Sequence, residues 1–325
     1  MSFDYDPPRG GLGRAIKEMV NVLQEKGMNI LVRQTWCRIP FFLQHWIREN
    51  NIRTLMLPVG PGGLFLFRRP KNVRLIVICY HTYWQQCRLV PGEQWKRLFV
   101  PFEHRTLRMA DQIFCYCRDT ERVLKEEYGL KNVKLMRQIL DIEQLRESPF
   151  VDPLPFIPSR REGYPRRGRE NILCLYIGRK DRRKGFHVLM EAWKKVKKNI
   201  PHAELCCVTQ GDMSDHELRS LMSTADLIVV PSYLEGFGLV AAQAMCAGKT
   251  VLGCDSDGLR SLIGHGETGW LVPPGNAKAL HDAWVMLLKH NILRERLGLG
   301  ASIFMHEKFN RSIAENELVV ECGTQ

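Results

Sequence analysis

The sequence lacks the features of several special classes of protein. No apolar run reaches the roughly 18 residues that a membrane-spanning helix requires. No two cysteines have the CxxC spacing that is typical of zinc and redox sites, and the chain has neither fixed-period repeats nor low-complexity tracts. We therefore expect a globular protein without a membrane-spanning helix and without a repeat array.

Disulfides are not expected either, although the chain has eleven cysteines. Six of them lie in apolar, strand-like runs: Cys79, Cys115, Cys117, Cys174, Cys206 and Cys207. The first residues do not resemble a secretory signal peptide. Reduced thiols in a core are typical of cytosolic proteins, so we predict a cytoplasmic location. A metal or redox site is the less favoured interpretation of these cysteines.

Acidic residues are in deficit. The chain has 47 Lys and Arg residues against 35 Asp and Glu residues, which gives a formal net charge of +12. This surplus favours anionic partners, whether nucleotide phosphates, anionic lipid headgroups or nucleic acid. The segment Leu66–Arg69, with two arginines beside Phe67, fits peripheral contact with the inner face of an anionic membrane and fits solvated charge equally well.

The length of 325 residues, of which 45% are hydrophobic, exceeds the usual range of a single domain. Strand-like runs alternate with helical patterns, which predicts α/β domains with mostly parallel sheets. Between Ser148 and Arg169 this periodicity gives way to prolines followed by arginines. We predict an N-terminal domain over 1–150, a linker over 151–169, a C-terminal domain over 170–309 and a tail over 310–325.

Two features of the N-terminal half are positioned to face a ligand. A glycine-rich loop, Gly10–Gly13, leads into a helical pattern, and a predicted strand ends at His81 in the run IVICYHTYW. Ligands of parallel α/β sheets bind beyond the carboxyl ends of the strands, so His81 is a candidate site residue. A histidine that merely follows a strand is the alternative. Few residues precede the glycine-rich loop, so the first strand is either very short or missing.

A basic loop, Gly178–Gly185, has the sequence GRKDRRKG and follows the predicted strand Ile172–Ile177. It carries five cations and one acid, Asp181, at the carboxyl end of that strand. Such a cluster is suited to holding phosphate groups. A solvated charged loop is the alternative interpretation.

The segment Leu227–Gly248, LIVVPSYLEGFGLVAAQAMCAG, has the pattern of a buried strand, a glycine-rich loop and a helix. Unpaired N–H groups at the start of such a helix, made accessible by Gly236 and Gly238, form a site for a phosphate-sized anion. The carboxylate of Glu235 cannot pair with that anion, but it suits the hydroxyl groups of an attached sugar. An ordinary strand-to-helix connection with a solvated glutamate is the alternative.

The last part of the chain continues the alternation. We expect a strand at Thr250–Cys254, a hairpin-like segment at Gly266–Val272, and helices at Ala277–His290 and Ile292–Phe309.

Three motifs, GRKDRRKG, ADLIVVPSYLEGFGLVAAQAMCAG and GHGETGWLVPPGN, together resemble the C-terminal domain of the retaining glycosyltransferases of family 4, or glycosyl transferases group 1. The likeness extends from about Asn171 to Lys308, and in the N-terminal half it depends on Gly10–Gly13, His81 and Ala110–Ile113. The resemblance implies the GT-B fold, an α/β architecture of two Rossmann-like domains that face a cleft, here with a shortened second domain.

The resemblance also implies roles for individual residues. Arg179 and Lys184 would neutralise the diphosphate of a nucleotide-sugar. Glu235, as the first acid of the family's E-x7-E motif, would hold hydroxyls of the transferred sugar, which His81 would meet from the other domain. These four are the predicted catalytic residues. The predicted donor-binding residues are Gly10, Gly11, Arg179, Lys184, Glu235, Gly236, Phe237, Gly238, Leu239 and Gln243.

The resemblance thus implies an enzyme of glycan or cell-envelope biosynthesis that transfers a sugar from a nucleotide-sugar, with retention of configuration. The acceptor would be a glycan, a lipid-linked or a small molecule. In such an enzyme, fixed cations and helix N–H groups stabilise the negative charge on the leaving diphosphate. The site region also has no DxD-like acidic pair that would bind a metal ion. Neither a metal nor another cofactor is therefore expected. Specific nucleic-acid binding is not expected.

The sequence departs from the family pattern where the E-x7-E motif should close, because Gln243 replaces the second acid. In the family that acid accepts hydrogen bonds from ribose hydroxyls, and an amide has one acceptor oxygen where a carboxylate has two. The predicted helix after Ser214 also follows Thr209–Gly211 almost directly, where the family has a further helix and strand. A degenerate GT-B-like protein that binds nucleotide-sugar or acts as a scaffold is therefore the alternative.

Overall fold

The computed structural model describes residues 11–35, 38–140, 172–209, 213 and 215–323. The chain forms two compact units. The first unit comprises Met1–Ile139, the tripeptide Glu235–Phe237 and Arg311–Gln325, and the second comprises Leu140–Leu234 and Gly238–Asn310. Each unit has its own sheet.

The first unit is built on a four-stranded parallel sheet whose strand order follows the chain. Its strands are β1 (Thr54–Val59), β2 (Arg74–Cys79), β3 (Gln112–Cys115) and β4 (Val133–Leu135). Its first helices are α1 (Gly11–Glu25), α2 (Leu43–Glu49), α3 (Tyr83–Leu89), α4 (Val100–Arg108) and α5 (Arg118–Arg122). A 3-10 helix at Gln94–Phe99 leads into α4, and a π-helical turn at Val123–Glu127 continues α5. Within residues 11–35 and 38–53 no strand precedes β1.

Burial accounts for the apolar composition of the first two strands of this sheet. Leu57 of β1 lies opposite Val77 of β2, and both are fully buried. Parallel neighbours cannot be joined by a tight turn, so each pair needs a crossover connection. Helices α3 and α4 supply that crossover between β2 and β3, and the predicted alternation of strands and helices is thereby confirmed in this unit.

The second unit has a five-stranded parallel sheet in the order β6-β5-β7-β8-β9. Its strands are β5 (Ile172–Ile177), β6 (Ala203–Val208), β7 (Leu227–Val230), β8 (Val251–Cys254) and β9 (Trp270–Val272). Its helices are α6 (Phe186–Asn199), α7 (Asp215–Thr224), α8 (Leu239–Cys246), α9 (Asp257–Leu262), α10 (Ala277–Lys289) and α11 (Asn291–Lys308).

The hairpin predicted at Gly266–Val272 is wrong. Residues Trp270–Val272 form β9, which pairs in parallel with β8 and not with a neighbouring strand of a hairpin. Helix α9 lies between the two strands in the chain and provides the crossover that a parallel pair requires. The turn glycines at 266 and 269 indicate a turn, but they do not indicate which strand will be the partner.

The last helix, α12 (Arg311–Gly323), occupies most of the segment predicted as a tail and belongs to the first unit. Ion pairs fix it there: Lys134 Nζ lies 2.6 Å from the carboxylate of Glu321, and Arg311 lies 2.9 Å from that of Glu18. The guanidinium of Arg74 also donates to the backbone oxygen of Glu321.

The core of the second unit centres on Trp284, which is fully buried. Its indole N–H donates to the Cys174 sulfur at 3.1 Å, and its ring lies 5.4 Å from that of Trp193.

The ten cysteines of the described residues are all free thiols, and all but Cys207 are buried. Burial raises the pKa of the Cys206 thiol to about 11, which favours the neutral, inert form. Their predicted role as reduced core residues agrees with this placement.

Both units are therefore α/β with parallel sheets, as the sequence predicts. Among the described residues, no helix has the length and apolar character needed to cross a membrane. The shortened connection predicted before α7 involves residues 210–212 and 214, which lie outside the described residues.

Candidate functional site

In each unit the predicted site residues follow the carboxyl ends of parallel strands, where ligands of such sheets bind. In the second unit these are the basic loop after β5 and the loop between β7 and α8. In the first unit His81 lies in the loop after β2, whereas Gly11 is the first residue of α1.

The basic loop Gly178–Gly185 is organised around its one acid. The carboxylate of Asp181 lies 2.9 Å from the Arg179 guanidinium and accepts a hydrogen bond of 2.8 Å from the backbone N–H of Lys184. Both contacts use the Asp181 carboxylate. They therefore fix the positions of Arg179 and Lys184, the two predicted catalytic cations, within the same loop. The Arg179 side chain remains 66% exposed, so its charge is accessible to a ligand.

The basic loop is also fixed to the residues that follow β7. The backbone N–H of Tyr233 donates to the carbonyl of Arg183 at 2.9 Å, and the Arg183 guanidinium donates to the carbonyl of Leu234 at 2.9 Å. Gly185 makes this approach possible, because a Cβ atom there would lie 1.9 Å from the carbonyl oxygen of Pro231. The glycine also has φ of 67°, which side-chain-bearing residues rarely adopt.

Helix α8 starts directly after Gly238, which has φ of 95° and caps the helix without a side chain. A Cβ atom at that position would lie 2.9 Å from the Leu259 side chain, so a glycine is required there for both conformation and space. The cap leaves the N–H groups of the first turn, beginning with Leu239, without a side-chain acceptor from Gly238. This is the geometry that favours an anion.

Gln243 lies one turn into α8 and is half-buried. Its backbone carbonyl accepts from the Ala247 N–H at 3.1 Å within the helix, and its side-chain amide offers one acceptor oxygen.

The tripeptide Glu235–Phe237 is buried in the first unit, and Glu235 is 7% exposed. Gly236 packs on Tyr80, the residue before His81: a Cβ atom on Gly236 would lie 2.6 Å from the Tyr80 carbonyl oxygen. The structure therefore brings the backbone of the predicted donor-binding tripeptide to the end of β2 where His81 lies.

Tyr80 is held firmly beneath this contact. Its ring stacks on that of Tyr116 at 4.5 Å, its hydroxyl donates to Gln138, and its carbonyl accepts from Thr120. Burial raises the pKa of Tyr80, so its hydroxyl stays neutral and donates. The backbone that carries His81 is consequently rigid.

Glu103 of α4 also supports this backbone, and the sequence reasoning missed it. Its side chain is fully buried, and its carboxyl oxygens accept from the Tyr83 N–H at 2.9 and 3.0 Å and from the Tyr128 hydroxyl at 2.5 Å. Burial raises its pKa to about 8. The carboxyl group thereby holds the first turn of α3, two residues after His81. A signal was present, since Glu103 is the one acid in the helical run VPFEHRTLR.

The loops after β1 and β2 also approach closely. A Cβ atom on Gly60 would lie 2.5 Å from the carbonyl oxygen of His81 and 3.3 Å from the Glu103 carboxyl. A Cβ atom on Gly62 would lie 3.8 Å from the Leu12 side chain at the start of α1. Gly11, the first residue of α1, is thus near this edge of the sheet, whereas Gly10 lies outside the described residues.

In the described part of the chain, no three or more His, Cys, Asp or Glu side chains lie close enough together to hold a metal ion. Independence from metal stays a prediction.

Known proteins resemble this chain both in sequence, over part of its length, and in fold. Residues 206–302 match the family model described as Glycosyl transferases group 1. Over 180 residues the chain is 36% identical to a phosphatidyl-myo-inositol mannosyltransferase of Mycobacterium leprae, covering 48% of this chain and 46% of that protein. The chain thus spans about half the length of the curated relatives it matches.

Solved structures resemble the chain over more of its length. A sucrose-phosphate synthase of Thermosynechococcus elongatus superposes with a TM-score of 0.71 at 18% identity, covering 95% of this chain and 92% of that one. Anabaena HepE, solved with UDP-glucose, gives a TM-score of 0.56 at 15% identity, covering 78% and 73% of the two chains. At these identities the likeness shows the fold, which is that of the GT-B glycosyltransferases.

Proposed function

We propose that this chain, whose residues 206–302 match the glycosyl transferases group 1 family model, transfers a sugar from a nucleotide-diphosphate-sugar to an acceptor hydroxyl. We further propose that the transfer retains the configuration of the sugar and requires no metal ion. The observation that carries the proposal is the basic loop closed around Asp181 and hydrogen-bonded to the residues after β7.

The basic loop suits the leaving group of such a reaction. The bond between the anomeric carbon and the phosphate oxygen breaks, and its electron pair stays on the diphosphate. Arg179 and Lys184 are proposed to neutralise that charge, together with the N–H groups at the start of α8, in place of a divalent ion. Because Asp181 and the β7 loop already fix the basic loop, little reorganisation accompanies the reaction.

The remaining steps involve the sugar and the acceptor. The acceptor hydroxyl forms its bond to the anomeric carbon on the face that the diphosphate leaves, and its proton passes to the leaving phosphate. Glu235 is proposed to accept hydrogen bonds from sugar hydroxyls, and the imidazole of His81 to contact the sugar. The rigid support of Tyr80 fits this positioning task, since misplacement of a positioning group is costly to rate.

The relatives suggest substrates to test first. A relative is named a phosphatidyl-myo-inositol mannosyltransferase, another a D-inositol 3-phosphate glycosyltransferase, and a structural neighbour was solved with UDP-glucose. We therefore propose an acceptor that carries an inositol or a lipid-linked hydroxyl. The donor is best found by measuring thermal stabilisation with a panel of UDP-, GDP- and ADP-sugars, since a ligand of the native state raises apparent stability.

The decisive experiment compares Lys184→Ala and Glu235→Ala with the unchanged protein, using the donor that stabilises it most. Turnover should fall by about two orders of magnitude or more in each, because a charge-stabilising or a positioning group is lost. Lys194→Ala, which removes an exposed lysine from α6, is the matched control and should leave turnover unchanged. Near-normal rates for both site variants would refute the assignment.

Gln243 favours a second candidate, a GT-B-like protein that binds nucleotide-sugar without turning it over. Such a protein would be stabilised by a donor, and Lys184→Ala would abolish that stabilisation. Such a protein would show no transfer of sugar to inositol-bearing, lipid or glycan acceptors. It would also show no hydrolysis of the donor. Any turnover that Lys184→Ala abolishes would exclude this candidate.

A further inference from the structure

The first unit carries a chain of aromatic rings that runs from its interior to its surface. Ring centroids are separated by 5.8 Å between Trp95 and Phe99, 6.1 Å between Phe99 and Phe65, 6.0 Å between Phe65 and Phe102, and 5.9 Å between Phe102 and Phe67. Phe65 is buried, whereas Trp95, Phe102 and Phe67 are 57%, 42% and 43% exposed. The exposed rings are therefore linked to one another through the less exposed rings of Phe99 and Phe65.

Helical spacing explains why these rings are outside. In the continuous helical segment formed by Gln94–Phe99 and α4, the exposed apolar residues Trp95, Leu98 and Phe102 follow the spacing i, i+3, i+7 and so share one face. Leu98 is 72% exposed, while Leu107 on the other side is fully buried. An outward apolar face is unexpected, because a helix on a soluble protein normally turns its polar face to water. We call Trp95, Leu98, Phe102 and Phe67 the aromatic surface.

Cations surround the aromatic surface. The helical segment carries four basic side chains, Lys96, Arg97, Arg105 and Arg108, and Arg68 follows Phe67 in the chain. The Arg105 guanidinium donates to the carbonyl of Phe67 at 3.0 Å, which joins the loop to the helix.

Two acids, Glu93 and Glu103, lie in or beside the helical segment and offset a part of its charge. Glu103 is fully buried, whereas Glu93 forms an ion pair with Lys96 and neutralises that cation, which leaves the positive charge to the arginines. The aromatic surface is thus apolar at its centre and positive at its rim.

We propose that the aromatic surface docks this protein on the face of an anionic lipid bilayer. Tryptophan and phenylalanine on one helix face, beside Lys and Arg, are suited to the boundary between headgroups and acyl chains. Basic side chains next to that boundary add attraction to anionic headgroups. The inference does not depend on the proposed glycosyl transfer. It also locates the membrane contact differently from the sequence prediction at Leu66–Arg69, since Leu66 is buried and only Phe67 of its apolar residues reaches the surface.

A bilayer fits the aromatic surface better than an acidic protein partner does. The exposed residues Trp95, Leu98 and Phe102 lie on one face of a single helical segment, with Phe67 of the adjoining loop against Phe102. Shallow insertion of such a face requires no matching shape, whereas a stable protein interface needs close complementarity.

The test is co-sedimentation of the full chain with vesicles of phosphatidylcholine alone and of phosphatidylcholine mixed with an equal amount of phosphatidylglycerol. We expect binding to the mixed vesicles that weakens with added salt, and little binding to phosphatidylcholine. The double variant Trp95→Ser with Leu98→Ser should reduce partitioning about tenfold or more, because it removes the apolar side chains that insert. Arg97→Gln with Arg105→Gln should abolish the preference for phosphatidylglycerol.

The matched control is Ile292→Ser with Leu299→Ser, which removes two apolar residues of α11 that are 83% and 63% exposed. This control should bind vesicles like the unchanged protein, and thermal melting should show that all variants are folded. The proposal is overturned if the unchanged protein ignores the mixed vesicles, or if the control loses as much binding as the Trp95 and Leu98 variant. It is also overturned if sedimentation velocity shows a dimer that this variant dissociates, since a second copy would then cover the surface.

Discussion

Glu103 provides the most demanding prediction, because the structure gives a fully buried carboxyl group with defined partners. Truncation by Glu103→Ala leaves the Tyr83 N–H and the Tyr128 hydroxyl without this acceptor. Each buried donor left unsatisfied costs about 1–3 kcal/mol, so the free energy of unfolding should fall by about 2–6 kcal/mol. Turnover should fall further than stability alone explains, because the first turn of α3 no longer fixes the backbone beside His81.

The pKa of Glu103 gives the same prediction a pH dependence. Burial raises the pKa from 4.5 to about 8, so between these pH values the folded protein binds a proton that the unfolded chain has lost. The stabilising contribution is complete below pH 4.5 and is lost as the pH rises through about 8. Glu103→Gln cannot titrate, so this part of the pH dependence of stability should disappear in that variant. The neutral amide should also destabilise less than alanine does, because it retains an acceptor oxygen.

Urea unfolding at several pH values from 5 to 9 measures both effects. Glu126→Ala is the matched control, since it removes an exposed acid from the same unit. The reasoning about the buried carboxyl group would be wrong if Glu103→Ala unfolded at the same urea concentration as the control. An unchanged pH profile in Glu103→Gln would contradict the raised pKa.

Two further predictions concern the second unit. Gly185→Ala should lower the melting temperature and raise the donor KM, because the new Cβ atom would lie 1.9 Å from the Pro231 carbonyl. Gly129→Ala is the control: Gly129 has a nearly identical φ of 66° but no atom within 4 Å of the added Cβ, so a cost equal to that of Gly185→Ala would show that the close approach is unimportant. Gln243→Glu should strengthen donor binding in calorimetry, because a carboxylate adds an acceptor for the ribose hydroxyls. Unchanged affinity for the nucleotide-sugar would remove Gln243 from the ribose site.

The parts of the fold that the sequence predicted are those encoded by neighbouring residues. The buried strand predicted at the start of the segment Leu227–Gly248 is a continuous apolar run followed by a turn, and the structure contains it at Leu227–Val230. The basic loop is equally local, since its cations and glycines are contiguous. The partner of β9 and the role of Glu103 depend on contacts between residues far apart in the chain. Local patterns carry no information about those contacts, which is why the predicted hairpin was wrong and why Glu103 was missed.

In the candidate site, too, features encoded by neighbouring residues could be predicted and contacts between distant residues could not. His81, Arg179 and Lys184 could be proposed from strand ends and local charge, but their supports could not. Tyr80 is fixed by Tyr116, Thr120 and Gln138, and the basic loop is fixed by residues after β7, all of them distant in sequence.

Binding of the diphosphate and recognition of the nucleoside are separable in this arrangement. The predicted diphosphate contacts are the cations of the basic loop and the N–H groups at the start of α8, and neither set involves the side chain of Gln243. On the proposed assignment, an amide in place of the acid leaves the stabilisation of the leaving group intact and changes only the acceptors offered to the ribose. A weaker hold on the nucleoside that is equal in the ground and transition states raises KM without lowering kcat. The proposed function therefore predicts that Gln243 is compatible with catalysis, and that a loss of turnover would come from the groups proposed to stabilise charge or to position the sugar.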